Sequence, residues 1–194
     1  MAHYAIVVDL DRCIGCHGCE IACKNENEVE LGSFWNKVVQ VGPFGDYPHL
    51  HQYFLPVMCQ QCDDSPCTHV CPTGASYRDE NNVVLVDKEK CIGCKYCMMA
   101  CPYGVRSWSP SEHVVEKCTL CGQLTSVGEE PKCVAACCAS ARFYGDLDDP
   151  NSDASKALAA AGADSVHRLK DVGNGPQTAY ILSAKYAEWK EEVK

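Results

Sequence analysis

The chain of 194 residues has few of the apolar patterns that cross a membrane or build a large core. No stretch approaches the roughly 20 apolar residues that a membrane-spanning helix needs, so we expect no direct membrane insertion. Phenylalanine occurs only four times, and apolar residues at helical or alternating spacing run for short distances. The sequence also lacks a glycine-rich phosphate loop and a nucleophile–base constellation, which argues against substrate chemistry by this chain alone.

Positive charge is scarce as well. Lys and Arg number 17 against 26 Asp and Glu, which gives a formal net charge of −9. Because an acidic protein repels phosphates, we expect no nucleic-acid partner. Attraction to a basic surface on a partner protein and simple solubility explain the negative charge equally well. The first cysteine is already at position 13, too early for a signal peptide, so we expect export or membrane attachment to depend on another subunit.

Cysteine, in contrast, occurs 17 times, and sixteen of these residues form four motifs that each end in Cys-x3-Cys. They are motif 1 (Cys13, Cys16, Cys19, Cys23), motif 2 (Cys59, Cys62, Cys67, Cys71), motif 3 (Cys91, Cys94, Cys97, Cys101) and motif 4 (Cys118, Cys121, Cys133, Cys137). The run C-x2-C-x2-C-x3-C-P is the bacterial signature for [4Fe-4S] clusters, in which the fourth cysteine binds the neighbouring cluster. Motif 3 with Pro102 matches it fully, and motif 1 matches its spacing but has Lys24 in place of proline.

Zinc and disulfide bonds are the alternative uses of so many cysteines. A third cysteine, placed one further x2 step after a Cys-x2-Cys pair, crowds a tetrahedral zinc ion without completing its site. Disulfide frameworks belong to small secreted domains, whereas this chain is long enough for an ordinary core and is expected to have no signal peptide. The pattern therefore predicts four [4Fe-4S] clusters.

An internal repeat underlies this pattern. Val8–Cys23 and Val86–Cys101 align with nine identities in sixteen positions. In each copy the sequence predicts a short strand, Ala5–Val8 or Val83–Val86, then a cysteine loop and a helical turn that carries the fourth cysteine away from the loop.

The four motifs can pair in tandem or in a nested order, and their spacing favours nesting. Only 19 residues separate Cys71 from Cys91, whereas 35 residues, rich in Gly and Pro, separate Cys23 from Cys59. We therefore predict an α+β fold with one ferredoxin-like unit inserted into another, split one. The predicted parts are an outer unit (1–35 and 111–145), an insertion loop (36–56), an inner unit (57–110) and a C-terminal strap (146–194).

The crossover rule then assigns the iron ligands. The predicted sets are Cys59, Cys62, Cys67 with Cys101; Cys91, Cys94, Cys97 with Cys71; Cys13, Cys16, Cys19 with Cys137; and Cys118, Cys121, Cys133 with Cys23. Cys138 stands where proline follows motifs 2 and 3, so we predict a small buried residue rather than a ligand.

Residues beside the cysteines carry weaker expectations. Four side chains could raise cluster potentials but are more simply interpreted as solvated: Lys95, Lys117, His17 and His69. Gly15 and Gly93 are expected to let backbone amides approach sulfur, and Arg106 to form a structural salt bridge.

In the tail, the sequence predicts a helix at Ala154–Ala161, a strand at Ala179–Leu182 and a polar helix at Ala184–Val193, packed on the ferredoxin body or on a catalytic subunit.

Residues 1–150 resemble the four-cluster electron-transfer subunits of the dimethyl sulfoxide reductase superfamily, particularly the short form of polysulfide reductase. The resemblance lies in the segments YAIVVDLDRCIGCHGCEIACKNENEV, CPTGASY, CIGCKYCMMACPYGVR, KCTLC and FYGDLDDPNS. It implies a nested double ferredoxin, a relay of four [4Fe-4S] clusters and a large partner subunit with a molybdenum or tungsten bis-pterin cofactor. Lys24 and Cys138 depart from the proline that the family pattern has there.

The function expected from this resemblance is electron relay in anaerobic respiration, between a quinol-linked membrane subunit or soluble donor and the molybdopterin subunit. The alternatives are an iron-sulfur subunit of a formate dehydrogenase or hydrogenase complex, a stand-alone polyferredoxin carrier and a zinc-stabilised binding module. A location outside the cytoplasmic membrane, reached by export with the catalytic subunit, is expected, with the cytoplasm as the alternative.

Overall fold

The computed structural model describes residues 2–190 as a mixed α+β protein with short elements. Its strands are β1 (Tyr4–Asp9), β2 (Asn36–Phe44), β3 (His51–Met58), β4 (Ser76–Arg78), β5 (Val84–Val86), β6 (Ser107–Ser109), β7 (Val114–Glu116), β8 (Arg142–Asp146), β9 (Val166–His167) and β10 (Ala179–Ile181). Its helices are α1 (Gly18–Glu26), α2 (Pro66–His69), α3 (Tyr96–Ala100), α4 (Gly122–Thr125), α5 (Lys132–Ala135) and α6 (Asp153–Ala161), and a 3-10 turn follows at Ala163–Ser165. No helix within residues 2–190 combines the length and apolar character that crossing a bilayer requires.

A four-stranded sheet in the order β8-β1-β10-β9 joins the two ends of the chain. Strand β1 is antiparallel to β8 and parallel to β10, with Val7 beside Phe143 on one side and Ala179 on the other. The side chains from Ala5 to Val8 are fully buried on both faces, which explains why this strand is a continuous apolar run rather than an alternating one. The predicted strands at Ala5–Val8 and Val83–Val86 are both present, within one residue at each end.

The stretch 36–56, predicted to be an insertion loop, contains most of an antiparallel hairpin made by β2 and β3. That prediction of a loop was wrong because Val38, Tyr53, Leu55 and Val57 bury their side chains and so stabilise extended chain. The Gly and Pro residues that suggested a loop are concentrated at the far end of this hairpin. Two smaller hairpins, β4–β5 and β6–β7, lie within or next to the predicted inner unit.

Short helices carry the Cys-x3-Cys steps. Helix α1 contains Cys19 and Cys23, and α3 contains Cys97 and ends immediately before Cys101. Helices α2 and α5 contain the third cysteines of motifs 2 and 4, respectively. Helix α1 packs against α5, and α2 against α3, so the four cysteine motifs meet in two pairs.

The main core is larger than the composition suggests because cysteines are part of it. Ile6, Leu55 and Tyr180 are fully buried and belong to one apolar cluster with five motif cysteines. These cysteines are Cys19, Cys23, Cys59, Cys118 and Cys133. Packing around the cysteine motifs and packing of the central sheet are therefore continuous.

The C-terminal tail packs on the body of the same chain. The predicted helix and strand occur as α6, capped by the Ser152 side chain, and β10. The predicted helix at Ala184–Val193 is absent from its described part, residues 184–190; residues 191–193 lie outside the described residues. There the chain turns and places Trp189 against Tyr53 and His167, and this aromatic packing favours a non-helical path.

Candidate iron-sulfur site

The cysteine loops of motifs 1 and 3 have the same backbone conformation. Gly15 and Gly93 have φ of 65° and 68°, and His17 and Lys95, which precede the helices, have φ of 58° and 63°. A Cβ atom at Gly15 would lie 2.4 Å from the ring of Phe54, so the loop requires glycine for space as well as conformation. The repeated sequence thus builds one loop twice.

Two cavities in the middle of the chain are lined by motif cysteines. The first is lined by Cys59, Cys62, Cys67 and Cys101, and the second by Cys71, Cys91, Cys94 and Cys97. Each cavity therefore combines three cysteines of one motif with the last cysteine of the other. Burial raises the pKa of Cys62 to about 12, so this thiol is expected to ionise only when a cation binds it.

The motif 1 cysteines lie near the end of motif 4. Burial raises the pKa of Cys13, and the nearby Cys19 and Cys137 thiolates add to the rise, while a hydrogen bond from the Gly15 N–H opposes it. This contact gives Gly15 the backbone role that the sequence predicted. The remaining member of motif 1, Cys16, has its sulfur 3.7 Å from Cys138 Sγ.

Motif 4 in turn is joined by the last cysteine of motif 1. Burial raises the pKa of Cys23 to about 12, and the thiolates of Cys133 and Cys121 contribute to this rise. Asn27 Nδ2 donates to Cys23 Sγ and to Cys121 Sγ, both at 3.7 Å. Cys118 is buried beside Cys23, and burial together with this neighbour raises the pKa of its thiol.

The motif thiols form four groups, and these groups lie in a continuous series. We name each group by the motif that supplies three members: the motif-1 group ends with Cys137, the motif-4 group with Cys23, the motif-2 group with Cys101 and the motif-3 group with Cys71. Neighbouring groups approach each other through three pairs of interacting thiols: Cys19 with Cys133, Cys118 with Cys59, and Cys67 with Cys97. The order in space is therefore motif-1, motif-4, motif-2 and motif-3, and the exposed thiols of Cys16 and Cys94 lie in its two end groups.

The chemistry of these donors suits multi-iron clusters. All 17 cysteines are free thiols, so no disulfide crosslinks the chain. Across residues 2–190, no three Cys, His, Asp or Glu side chains are close enough to share a single metal ion. A cluster of four irons and four sulfides holds its thiolates farther apart than one tetrahedral zinc ion does, which fits thiols that line cavities.

Several protein groups donate hydrogen bonds to motif sulfurs. Arg106 Nη2 lies 2.9 Å from Cys67 Sγ, and Asn174 Nδ2 lies 3.0 Å from Cys62 Sγ. Such contacts tune cluster potentials in iron-sulfur proteins. Sequence reasoning did not identify Asn174 or Asn27; Asn174 is 112 residues from its cysteine, and no local pattern indicates such a contact.

Most of the ionisable neighbours singled out in the sequence have partners other than sulfur. His17 pairs with Glu20 at 3.1 Å, His69 with Asp64 at 2.5 Å, and Lys95 lies 4.0 Å from the centre of the Trp108 ring. Lys117 differs: it is only 2 % exposed and donates to the carbonyl oxygens of Val84 and Cys118. The expectation of a solvated side chain was therefore wrong for Lys117, because this lysine is needed to satisfy buried carbonyls.

The salt bridge predicted for Arg106 is not formed. None of the ion pairs between carboxylates and basic groups within residues 2–190 includes this guanidinium. Its partners are instead Cys67 and Ser76, the latter at 2.7 Å from Nη2. A cysteine sulfur thus occupies the place of the carboxylate that the sequence interpretation assumed.

Comparisons with known proteins agree with this donor chemistry. A 4Fe-4S dicluster domain family matches residues 50–147, and a 4Fe-4S binding domain family matches residues 10–27. The chain is 40 % identical to a subunit of the sulfite dehydrogenase of Allochromatium vinosum, over 95 % of this chain and 85 % of that protein. It is 39 % identical to the thiosulfate reductase electron transfer subunit of Salmonella typhi, over 96 % of both chains. It is 34 % identical to the arsenate respiratory reductase iron-sulfur subunit of a Shewanella species, over 92 % of this chain and 95 % of that protein.

Proposed function

The chain belongs to the iron-sulfur electron-transfer subunits of the dimethyl sulfoxide reductase superfamily, and from this membership we propose that its sixteen motif cysteines hold four [4Fe-4S] clusters in a nested double-ferredoxin arrangement. The proposed ligand sets are the motif-1, motif-2, motif-3 and motif-4 groups defined above. Each set takes three thiolates from one motif and the fourth from its partner motif. The chain itself catalyses no substrate reaction.

The observation that carries this proposal is the composition of the two central cavities. Cys101 lies with the first three cysteines of motif 2, and Cys71 lies with those of motif 3. A tandem arrangement would instead bring Cys101 to motif 4. The exchange of final cysteines is what a two-cluster ferredoxin unit requires.

The order of the groups supports a relay. When bound, [4Fe-4S] clusters supply one-electron transfer without making or breaking substrate bonds. The chain's own residues hold the groups in series, exclude water from the two middle ones and leave Cys16 and Cys94 exposed at opposite ends. These ends are the proposed points of electron entry and exit.

The proposed partner is a large catalytic subunit with a molybdenum or tungsten bis-pterin cofactor, together with a membrane anchor subunit. Relatives named as subunits of thiosulfate and arsenate reductases support a multi-subunit reductase. Co-purification from native extract under anaerobic conditions tests whether the catalytic partner exists: a brown species of about 21 kDa without a large companion would favour a free carrier. We also propose a location outside the cytoplasmic membrane, reached by export with the catalytic subunit.

The ligand assignment is tested with three serine variants of the full chain. We expect about sixteen irons and sixteen sulfides in the wild type, as four [4Fe-4S] clusters require. Cys101→Ser and Cys62→Ser should remove the same electron paramagnetic resonance signal, because both residues are proposed to bind one cluster. If Cys101→Ser matched Cys121→Ser instead, the arrangement would be tandem and the nested proposal would be wrong.

A further inference from the structure

Two buried arginines occupy equivalent places in the two pairs of motifs. Arg106 follows Cys101 by five residues, and Arg142 follows Cys137 by five residues. They are 5 % and 4 % exposed, respectively. Like Arg106, Arg142 forms no ion pair with a carboxylate anywhere in the described part of the chain. Because an isolated buried charge is very costly, each guanidinium requires another source of negative charge.

Arg106 lies between the motif-2 and motif-3 groups. Its Nη2 donates to Cys67 Sγ at 2.9 Å, and its charge and a hydrogen bond also act on the Cys97 thiol. Cys67 lines the first central cavity and Cys97 lines the second. One guanidinium therefore serves both groups of the inner unit.

Arg142 lies between the motif-1 and motif-4 groups in the same way. Its charge interacts with the sulfurs of Cys133, Cys19 and Cys118, and the interaction with Cys133 is the strongest of the three. Cys19 belongs to one outer group, and Cys133 belongs to the other. The direct hydrogen-bond acceptors of Arg142 are neutral: Asn36 Oδ1 at 3.4 Å and Met58 Sδ at 3.0 Å. These acceptors orient the guanidinium without neutralising it.

Each arginine also has a buried N–H group without an acceptor among the described residues. The atoms are Arg106 Nη1 and Arg142 Nε. Unsatisfied buried donors are rare in native proteins, and each one calls for an explanation. Sulfur atoms of a neighbouring cluster would provide the missing acceptors.

We propose that Arg106 and Arg142 are paired positioning residues, each of which places a positive charge between the two clusters of one ferredoxin-like unit and thereby raises the reduction potentials of both. This inference rests on the proposed four-cluster function. An added electron makes each thiolate-held cluster more negative, and a nearby buried cation stabilises that charge more strongly than an exposed one does. The two arginines also allow two negatively charged clusters to lie side by side.

The test compares neutral and charge-conserving variants of the full chain, prepared anaerobically. The variants are Arg106→Gln, Arg106→Lys, Arg142→Gln and Arg142→Lys, with Lys156→Gln as the control that removes an exposed positive charge. Lys156 lies on α6 and pairs with the exposed Asp153 at 3.8 Å. Redox titrations monitored by electron paramagnetic resonance measure each cluster. The signals that Cys101→Ser and Cys71→Ser remove belong to the inner pair, and the signals that Cys137→Ser and Cys23→Ser remove belong to the outer pair.

We expect Arg106→Gln to lower the ratio of reduced to oxidised inner clusters at a fixed applied potential by about tenfold, which is 59 mV for a one-electron couple. The outer clusters should change much less, and Arg142→Gln should show the reverse pattern. The lysine variants should retain most of the wild-type potential because they retain the charge. The control should match the wild type in all four clusters.

Three results would overturn the inference: unchanged potentials in fully loaded glutamine variants, equal shifts in all four clusters, or lysine variants that shift as much as glutamine variants. A glutamine variant can fail to bind the two clusters beside the substituted arginine. In that case, binding of all four clusters by the lysine variant supports the charge role, and loss of the same two clusters from the lysine variant contradicts it. A wild-type chain without four clusters would overturn the proposed function as well. A four-cluster wild type with unresponsive arginine variants would overturn the inference alone.

Discussion

Cys137 and Cys138 are adjacent, but their surroundings differ. Cys137 is partly buried, and its sulfur accepts a hydrogen bond from the Ala141 N–H at 3.3 Å. Cys71, the last cysteine of motif 2, accepts the same kind of bond from the Ser76 N–H, also at 3.3 Å. Cys138 is exposed, so the prediction of a buried small residue was wrong, because the chain turns its side chain outwards after α5.

From this difference we predict that Cys137→Ser loses one cluster, a decrease of about four irons per chain, and that Cys138→Ser retains all four. A backbone N–H bond to sulfur stabilises a thiolate, and only Cys137 has the geometry shared with another final cysteine. Iron and sulfide analysis of the two purified variants makes the comparison. Loss of iron in Cys138→Ser alone would show that the exposed cysteine, 3.7 Å from Cys16, is the ligand.

At the scale of elements, the connection between β9 and β10 reaches the motif-2 group. Asn174 at its tip donates to Cys62 Sγ and to the Tyr103 hydroxyl, at 3.0 Å and 2.9 Å. Asp171 holds this turn, because its Oδ1 accepts from the backbone N–H groups of Gly173 and Gly175 at 2.8 Å and 3.1 Å. A turn in the tail thus orders one contact to a proposed iron ligand.

These hydrogen bonds lower the pKa of Asp171 from its ordinary value. The folded-state pKa is therefore below the unfolded one, so the stabilisation is present above the unfolded value of about 4 and is lost as the pH falls through the folded value. We predict that amides in 171–176 exchange hydrogen faster in Asp171→Asn than in the wild type at pH 7. The difference should disappear at acidic pH, and mass spectrometry at matched pH measures it.

The matched control for this prediction is Asp164→Asn, which removes an exposed carboxylate from the same tail. Its exchange in 171–176 should equal that of the wild type at every pH. Equal exchange in Asp171→Asn and the wild type at neutral pH would show that the carboxylate does not hold the turn.

At the scale of the whole molecule, the core around the cysteine motifs depends on bound metal. Arg106 and Arg142 are buried beside thiols whose pKa values burial raises, so without iron these thiols are neutral and the arginines lose their negative neighbours. Several helices of four or five residues carry motif cysteines and are too short to be stable alone. Metal binding is therefore part of the folding free energy.

We predict that anaerobic removal of iron with a chelator leaves the chain largely unfolded. Circular dichroism should show loss of secondary structure, and the cooperative thermal transition of the loaded protein should disappear. Reconstitution with iron and sulfide should restore both signals. A sharp cooperative transition in the iron-free chain would show that the sheet of β8, β1, β10 and β9 folds without clusters.

Local patterns predicted the parts of the fold in which neighbouring residues decide the structure. The repeat ending at Cys23 and Cys101 predicted strand, loop and helical turn, because glycine and cysteine spacing act over a few residues. The stretch 36–56 and the described part of the predicted last helix, residues 184–190, were predicted wrongly, because burial of Leu55 and packing of Trp189 depend on distant residues. Arg142 was overlooked, although its offset from Cys137 repeats that of Arg106 from Cys101 and was visible in the sequence.

The sequence by itself determined the donor chemistry: four cysteine motifs, their internal repeat and their iron-sulfur character, since ligand type and short spacing are local properties. Only the tertiary structure decided which charges lie between the cysteine groups and which tail residues contact them. Arg142 and Asn174 reach motifs 1 and 2 across long stretches of chain, and the pairing of β1 with β8 and β10 brings those stretches together. Long-range contacts of this kind follow from packing the whole chain, because no short segment contains both partners.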